Sequence, residues 1–314
     1  MTLRLKSSVT ASGWPLPVSA AAGVVLLLGC CLWAWRVDVT LVLGKASYVL
    51  ALMMAVRLYE HVRFRDHVRL ILLTDSLIVV CIMGAGVGFL SYLTAMADAP
   101  LRDRELLAFD RALGFDWSAV MHALDQWPGL VSLLELAYQT HTAQIACIVM
   151  SLALRNRPKD LDAFLLAFLI AGALTTTISA LVPALGPASL LGNQDFLNLK
   201  LTGATPADVL AQLRAGSTRI IDFDHMAGIV TFPSFHTAIA LLVVHAVRRD
   251  WWLLAPVAGL DALMLASTIT EGGHYVVDVL AGGAITIVAV TVSGAAKGSQ
   301  AARERLRAAL PNPA

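Results

Sequence analysis

The sequence predicts an all-α fold, a polytopic membrane helix bundle of about eight transmembrane helices, and three observations carry that expectation. Of its 314 residues 58% are hydrophobic and 14% charged, against about 45–50% and about 25% in soluble domains. The mean hydropathy is +0.73. Uncharged runs recur at the ~20-residue length that a helix needs to cross the hydrocarbon. The same arithmetic excludes a disordered chain. A net charge of +1, from 23 Lys+Arg and 22 Asp+Glu, sets up no field that recruits a polyanion, so no nucleic-acid partner is expected. The four cysteines form no disulfide or metal pattern: Cys30 and Cys31 are adjacent, Cys81 and Cys147 solitary, and all lie in apolar runs.

Each span has its own warrant. No charge occurs from Ser7 to Trp35, and Val18–Trp35 forms the first span. No small-residue cleavage site precedes Arg36, so a removable signal peptide is the weaker reading. Val39–Tyr59 is the second, with Lys45 inside it; Leu70–Ala97 is the third and Leu130–Leu154 the fourth. Leu161–Val182, the fifth, belongs to the 32-residue uncharged stretch Ala163–Gln194. Phe235–Val247, Trp252–Ile269 and Tyr275–Ser293 complete the set. Between them, Ala99–Gly129 reads as an interfacial amphipathic helix pair with Trp117 and Trp127 at headgroup level. The connection Pro183–Thr231 opens with a helix-breaking Pro-Ala-Leu-Gly-Pro and carries a polar helix around Pro206–Ala215. The tail from Lys297 reads as an amphipathic cytoplasmic helix.

Positive charge sets the orientation. With both termini cytoplasmic, the inner segments hold 15 Lys/Arg and the outer segments 7.

Two constellations then fall at the outer face. Phe232-Pro233-Ser234-Phe235-His236-Thr237 opens span six, and Gly272-Gly273-His274-Tyr275-Val276-Val277-Asp278 leads into span eight. Histidine at a span mouth is expensive unless paired or hydrated. His274 and Asp278 are four apart, one turn apart on one helix face, so the carboxylate can accept a proton from one imidazole nitrogen and leave the other as a directed nucleophile or base. Gly272 and Gly273 let a bulky group approach the backbone. Two histidines in different surroundings can divide the roles of nucleophile and acid. Ser234 and the amides that open span six suit an anion. Either motif alone reads equally as a helix cap; their joint occurrence on one face favours chemistry. Glu135, Tyr138 and His141 share a face of span four and either line the pocket or satisfy one another. Asp222-Phe-Asp224-His225 has metal-ligand atoms but reads as a solvated loop.

Pro-Ser-x-His followed by His-x-x-x-Asp resembles the second and third signatures of the type 2 phosphatidic acid phosphatase superfamily. The strings Thr231-Phe-Pro-Ser-Phe-His-Thr237 and Gly272-Gly-His-Tyr-Val-Val-Asp-Val279 look most like its inositol phosphorylceramide synthase-like, inositolphosphotransferase branch, and Phe109-Asp-Arg-Ala-Leu-Gly-Phe-Asp-Trp117 is similar to what bacterial members carry. The resemblance divides the chain into two extra helices (1–69), a six-helix catalytic core (70–296) and a cytoplasmic tail (297–314). It implies that His274 takes the phosphoryl group as a phosphohistidine, Asp278 orients it, His236 protonates the leaving oxygen, and Ser234 binds a phosphate oxygen. No metal or other cofactor is implied. The substrate it implies is a lipid phosphate or phospholipid in the bilayer, handled at the extracytoplasmic face of a bacterial-type plasma membrane. Water as acceptor gives a phosphatase, an alcohol a phosphotransferase. The family's cations are missing: Thr268 stands where an Arg is expected, and Pro183–Pro187 has no Lys/Arg-Pro. Phosphoryl transfer needs positive charge on the equatorial oxygens, which makes Arg214 and Arg219, ahead of Lys200, the expected replacements. Two other readings stand beside this one. Lys45, Asp75 and Asp261 inside spans suggest a transporter, against which there is no repeat; the missing cations suggest an inactive scaffold of the same fold.

The topology is testable by cysteine labelling on intact cells. A cysteine at Ser217 should react from outside and one at Thr10 should not; the opposite pattern inverts the orientation.

Overall fold

The computed structural model describes residues 17–64, 66–97, 99–191, 196–199, 204–271 and 273–309; Thr10, Lys200 and Gly272 lie outside the described residues. In chain order, α1 (Pro17–Arg36), β1 (Thr40–Val42) and α2 (Gly44–Arg63) form a first hairpin, followed by α3 (Val68–Ala95). The first long connection carries α4 (Asp103–Ala112) and α5 (Trp117–Asp125); α6 (Pro128–Gln139), α7 (His141–Leu154) and α8 (Pro158–Leu181) return through the bundle. The second long connection holds α9 (Pro187–Leu191), α10 (Ala204–Arg214) and β2 (Ile220–Asp222), and α11 (Phe235–Val247), α12 (Trp251–Thr270) and α13 (Val276–Ala309) complete the chain. The result is an all-α membrane helix bundle. Among the described residues α3, α8, α12 and Val276–Ala295 are long and apolar enough to cross a bilayer, while Ala21–Arg36, α7 and α11 are apolar but shorter.

The core lies where α3, α7, α8, α11 and α13 meet, around Met83, Val149, Leu161, Leu165, Ala238, Val243 and Ala289. Small residues at these seams let backbones approach, which is what packing in lipid rewards. Gly282 is the tightest seam: a Cβ there would stand 2.4 Å from the Ser234 carbonyl oxygen. Charges gather at the far end of the bundle, where Arg155 and Arg157 share Asp250, and Arg57 pairs with buried Asp75. Asp75 and Ser91 on α3 are 16 residues apart, about 24 Å of helix rise.

The first hairpin is stitched to the second long connection. β1 pairs in parallel with β2, Thr40 opposite Ile220. The Asp224 carboxylate accepts the Lys45 N–H at 2.8 and 2.9 Å, capping α2. Cys30 and Ala34 of α1 pack with Phe89, Tyr92 and Leu93 of α3.

Two sequence expectations change, at the fourth span and at Trp117, while span six keeps its expected bounds and the tail its expected helix. The fourth span breaks at Thr140, because side chains take carbonyls that a regular helix would use: Thr140 Oγ1 donates to Ala137 O (2.7 Å) and His141 Nδ1 to Tyr138 O (2.9 Å). α11 has 13 residues, a rise of about 20 Å against ~30 Å of hydrocarbon. The expected tail helix is continuous with span eight, as α13 runs unbroken to Ala309. Trp117 is 1% exposed and packs on Met121, Val131 and Leu199, its indole N–H directed at Ile269 O; only Trp127 is open to the surroundings.

α4 fixes both the turn before α9 and the entry to α13. Asp103 and Asp110 are seven apart, two turns along one face. Asp103 accepts the N–H groups of Leu185 (2.9 Å) and Gly186 (2.8 Å) and the Tyr275 hydroxyl (3.0 Å). Asp110 accepts those of Val276 (2.8 Å) and Val277 (3.0 Å), two first-turn donors of α13. Leu106 and Leu107 pack on Ala184 and Tyr275. Gly186 (φ +96°) lies so close to Gly273 that a Cβ would stand 2.6 Å from the Gly273 carbonyl oxygen.

Asp110→Ala strands two half-buried donors and should lower stability by about 1 kcal/mol; Asp110→Asn, which keeps one acceptor, should recover part of it. Thermal unfolding in detergent measures both, and an unchanged Tm for the alanine variant contradicts the clamp.

Candidate active site

A cavity of about 310 Å³ opens at the α4 end of the bundle. Its wall is mainly apolar, with Val87, Met226, Ile229 and Phe235, and its polar groups include His236, His274, Tyr138, Glu271, Thr175 and Thr231.

His274 is 2% exposed. Its Nδ1 lies 3.2 Å from Asp278 Oδ2, which also accepts the Tyr275 N–H at 2.9 Å. An ionised carboxylate only accepts, so the shared proton belongs to Nδ1 and Nε2 keeps its lone pair. Asp110 fixes the start of α13 and with it Asp278, which stands in the same first turn. The Ser234 N–H donates to the Asp278 carbonyl at 3.0 Å and ties the start of α11 to α13. His236, two residues later, has its ring centroid 6.3 Å from that of His274, 4.9 Å from His141 and 4.7 Å from Tyr138. Tyr138 and His141, three residues apart on either side of Thr140, both reach this histidine. His141 donates Nδ1–H to a carbonyl, which only accepts, so its Nε2 is likewise the nitrogen left with a lone pair.

The structure thus brings His274, Asp278, His236, Tyr138, His141 and Gly273 together. Gly273 (φ +63°) makes the turn before His274. Ser234 is adjacent but wholly buried: its Oγ caps α11 by accepting the Thr237 N–H, and it does not line the cavity. Arg214 and Arg219 are not brought there. Arg214 donates to Ala97 O (3.0 Å) and Ala99 O (2.6 Å), and Arg219 to Val37 O (3.0 Å). Both guanidiniums fasten the second long connection to the ends of α3 and α1, satisfying carbonyls that the helices leave open. Among the described lining residues there is no Lys or Arg. Thr268, at the position of the missing Arg, is buried, and its hydroxyl donates to Leu265 O.

Asp222 and Asp224 serve as loop caps. The His225 ring, 2.8 Å away, holds the Asp222 carboxyl below its ordinary pKa, and Asp224 caps α2. Among the described residues no group of three metal-ligating side chains forms.

Sequence reasoning missed four residues. Asp103 and Asp110 carried a signal, two acids seven apart on an amphipathic helix. Glu271, 3% exposed, sits three residues before His274, and Thr175 presents a buried hydroxyl with no hydrogen-bond partner among the described residues; neither had a sequence pattern to mark it.

A comparison with family models matches residues 104–292 to the PAP2 superfamily. No curated protein and no solved structure gave a match. The matched segment runs from α4 through both histidine motifs and covers more than half of the chain: this protein is a member of the PAP2 superfamily, whose enzymes are phosphatase-type catalysts acting on phosphate esters.

Proposed function

We propose that this protein transfers a phosphoryl group from a lipid phosphate or phosphodiester, at the outer membrane face, through a phosphohistidine on His274. The observation that carries the reading is the His274–Asp278 bond, which fixes one imidazole nitrogen as donor and leaves the other as nucleophile beside a second histidine in one cavity. The nucleophile and its orienting carboxylate follow the logic of a catalytic triad. Nε2 attacks phosphorus and the bond to the leaving oxygen breaks. That oxygen takes a proton from His236, whose protonated form the negative charge of the bound phosphate favours. An acceptor hydroxyl then attacks, the P–N electron pair returns to Nε2, and the acceptor's proton passes to the now neutral His236. Tyr138 and His141 hold the His236 ring from two sides. Ser234 acts by fixing the start of α11, and the loop glycine Gly273 by leaving room beside the nucleophile. The mainly apolar wall suits a lipid donor.

Purified protein should release phosphate or exchange the headgroup with at least one of phosphatidic acid, an isoprenyl diphosphate and a phosphoinositide. His274→Ala should abolish that turnover. Asp278→Asn should leave the fold intact and lower kcat by roughly 10³–10⁴, the scale seen when a triad histidine loses tautomer control. His236→Ala should lose most activity on lipids yet retain it on 4-nitrophenyl esters, whose leaving group needs no proton. Full activity in His274→Ala overturns the mechanism, and silence on every lipid favours a transporter or an inactive scaffold.

A further inference from the structure

A second, partly enclosed cavity of about 80 Å³ lies between α7, α8, α11 and α13 at the opposite end of the bundle. Arg248 on its wall follows α11 directly and stands twelve residues from His236, about 18 Å of helix rise. The two cavities share no lining residue. Leu152, Phe164 and Leu242 line the second one and are buried, whereas Arg157 and Asp160 are half-buried and Arg248 is exposed. The wall thus runs from an apolar floor to a charged mouth. That mouth is net positive. Arg155, Arg157, Arg248 and Arg249 stand against Asp160 and Asp250, while Lys159 and Asp162 add one charge of each sign. Asp250 accepts from Arg155 at 2.9 Å and from Arg157 at 3.4 Å, and Asp160 accepts from Arg157 at 2.8 Å, which holds these guanidiniums in place. Arg248 donates to the His245 carbonyl, and the charges that act on it are Arg249, Asp160 and Arg157, two of them of its own sign. An anion at the mouth relieves that crowding. A separate observation sets the level of this end in the membrane. Trp251 and Trp252 are 83% and 55% exposed, and the Arg155 guanidinium lies over the Trp252 ring, 5.4 Å from its centroid. Exposed tryptophans beside arginines belong at the headgroup layer of a bilayer.

From this we infer that the second cavity is a binding site for an anionic phospholipid of the adjoining leaflet, with the headgroup phosphate at Arg157 and Arg248 and the start of a chain over the apolar floor. Basic pockets between spans at headgroup level suit such lipids. About 80 Å³ admits a phosphate and leaves the chains in the bilayer. The inference stands apart from the phosphoryl-transfer reading, because it uses none of the residues of the histidine cavity.

The test titrates the full chain in a non-ionic detergent with phosphatidylglycerol, which is net negative, and with phosphatidylcholine, which is net neutral, and counts bound lipids by native mass spectrometry. Phosphatidylglycerol should be retained in preference to phosphatidylcholine. Arg248→Gln should weaken that binding about fivefold, the scale for one basic charge beside an anionic headgroup, and Arg248→Lys should restore part of it. Arg248 is exposed, so these variants change charge without disturbing the core. Ala246→Leu fills the cavity at constant charge and should weaken binding as well. Neither position touches the histidine cavity, so a lipid held there as substrate does not respond to these changes. Equal retention of the two lipids, or phosphatidylglycerol binding unchanged in Arg248→Gln, overturns the site. Loss in Arg248→Gln with full binding in Ala246→Leu reduces the effect to diffuse surface charge and overturns it too. Inorganic phosphate that displaces the lipid at equal concentration makes this a site for soluble anions and overturns the lipid assignment.

Discussion

The site depends on where the open N–H groups of α13 find their acceptor. A helix that begins inside a membrane protein cannot leave its first-turn donors to water. Here the Asp110 carboxylate takes two of them, and Asp103, two turns earlier on the same face, takes two more in the turn at 185–186 together with the Tyr275 hydroxyl. One short amphipathic helix outside the bundle therefore fixes the entry to α13 and the turn that closes over it. His274 is held between those points. Asp278 follows by helical geometry, and the bond from Ser234 N–H to the Asp278 carbonyl carries the constraint to α11 and His236. The close seam at Gly282 lets those two helices meet.

The apolar surroundings of the site are the second constraint. α11, at 13 residues, is shorter than the hydrocarbon is thick, and the paired histidines line a cavity whose wall is mainly apolar. Burial there amplifies each fixed charge. The cations that the sequence offered have other work. Arg214 and Arg219 hold the second long connection against the ends of α3 and α1, on the side where β1, β2 and Asp224 bind the first hairpin to the bundle.

Much of this was legible in the sequence, for identifiable reasons. Composition alone set the fold class, because bilayer length is a one-dimensional constraint. The His274–Asp278 pair was legible from its four-residue spacing, although His274 stands before α13, so the contact is made across the helix start and not along a helix face as expected. The helices in both long connections were legible from amphipathic and polar runs. What escaped depended on tertiary geometry. Arg219 lies 17 residues from His236 in sequence, yet its side chain reaches Val37. Trp117 has the composition of a headgroup anchor but a buried environment. The break at Thr140 arises from side chains competing for carbonyls, which apolar periodicity does not register. Asp103 and Asp110 look like ordinary helix acids until the loops they hold are in view.

The central claim, that His274 carries the phosphoryl group, is tested most directly by locating the covalent intermediate. The protein is mixed with a ³²P-labelled lipid phosphate or phosphodiester that it turns over, quenched in base, and digested for mass spectrometry. The account predicts an acid-labile, base-stable phosphoryl group on the peptide containing His274, absent from His274→Ala. Turnover with no label on His274, or with the label on another residue, contradicts it.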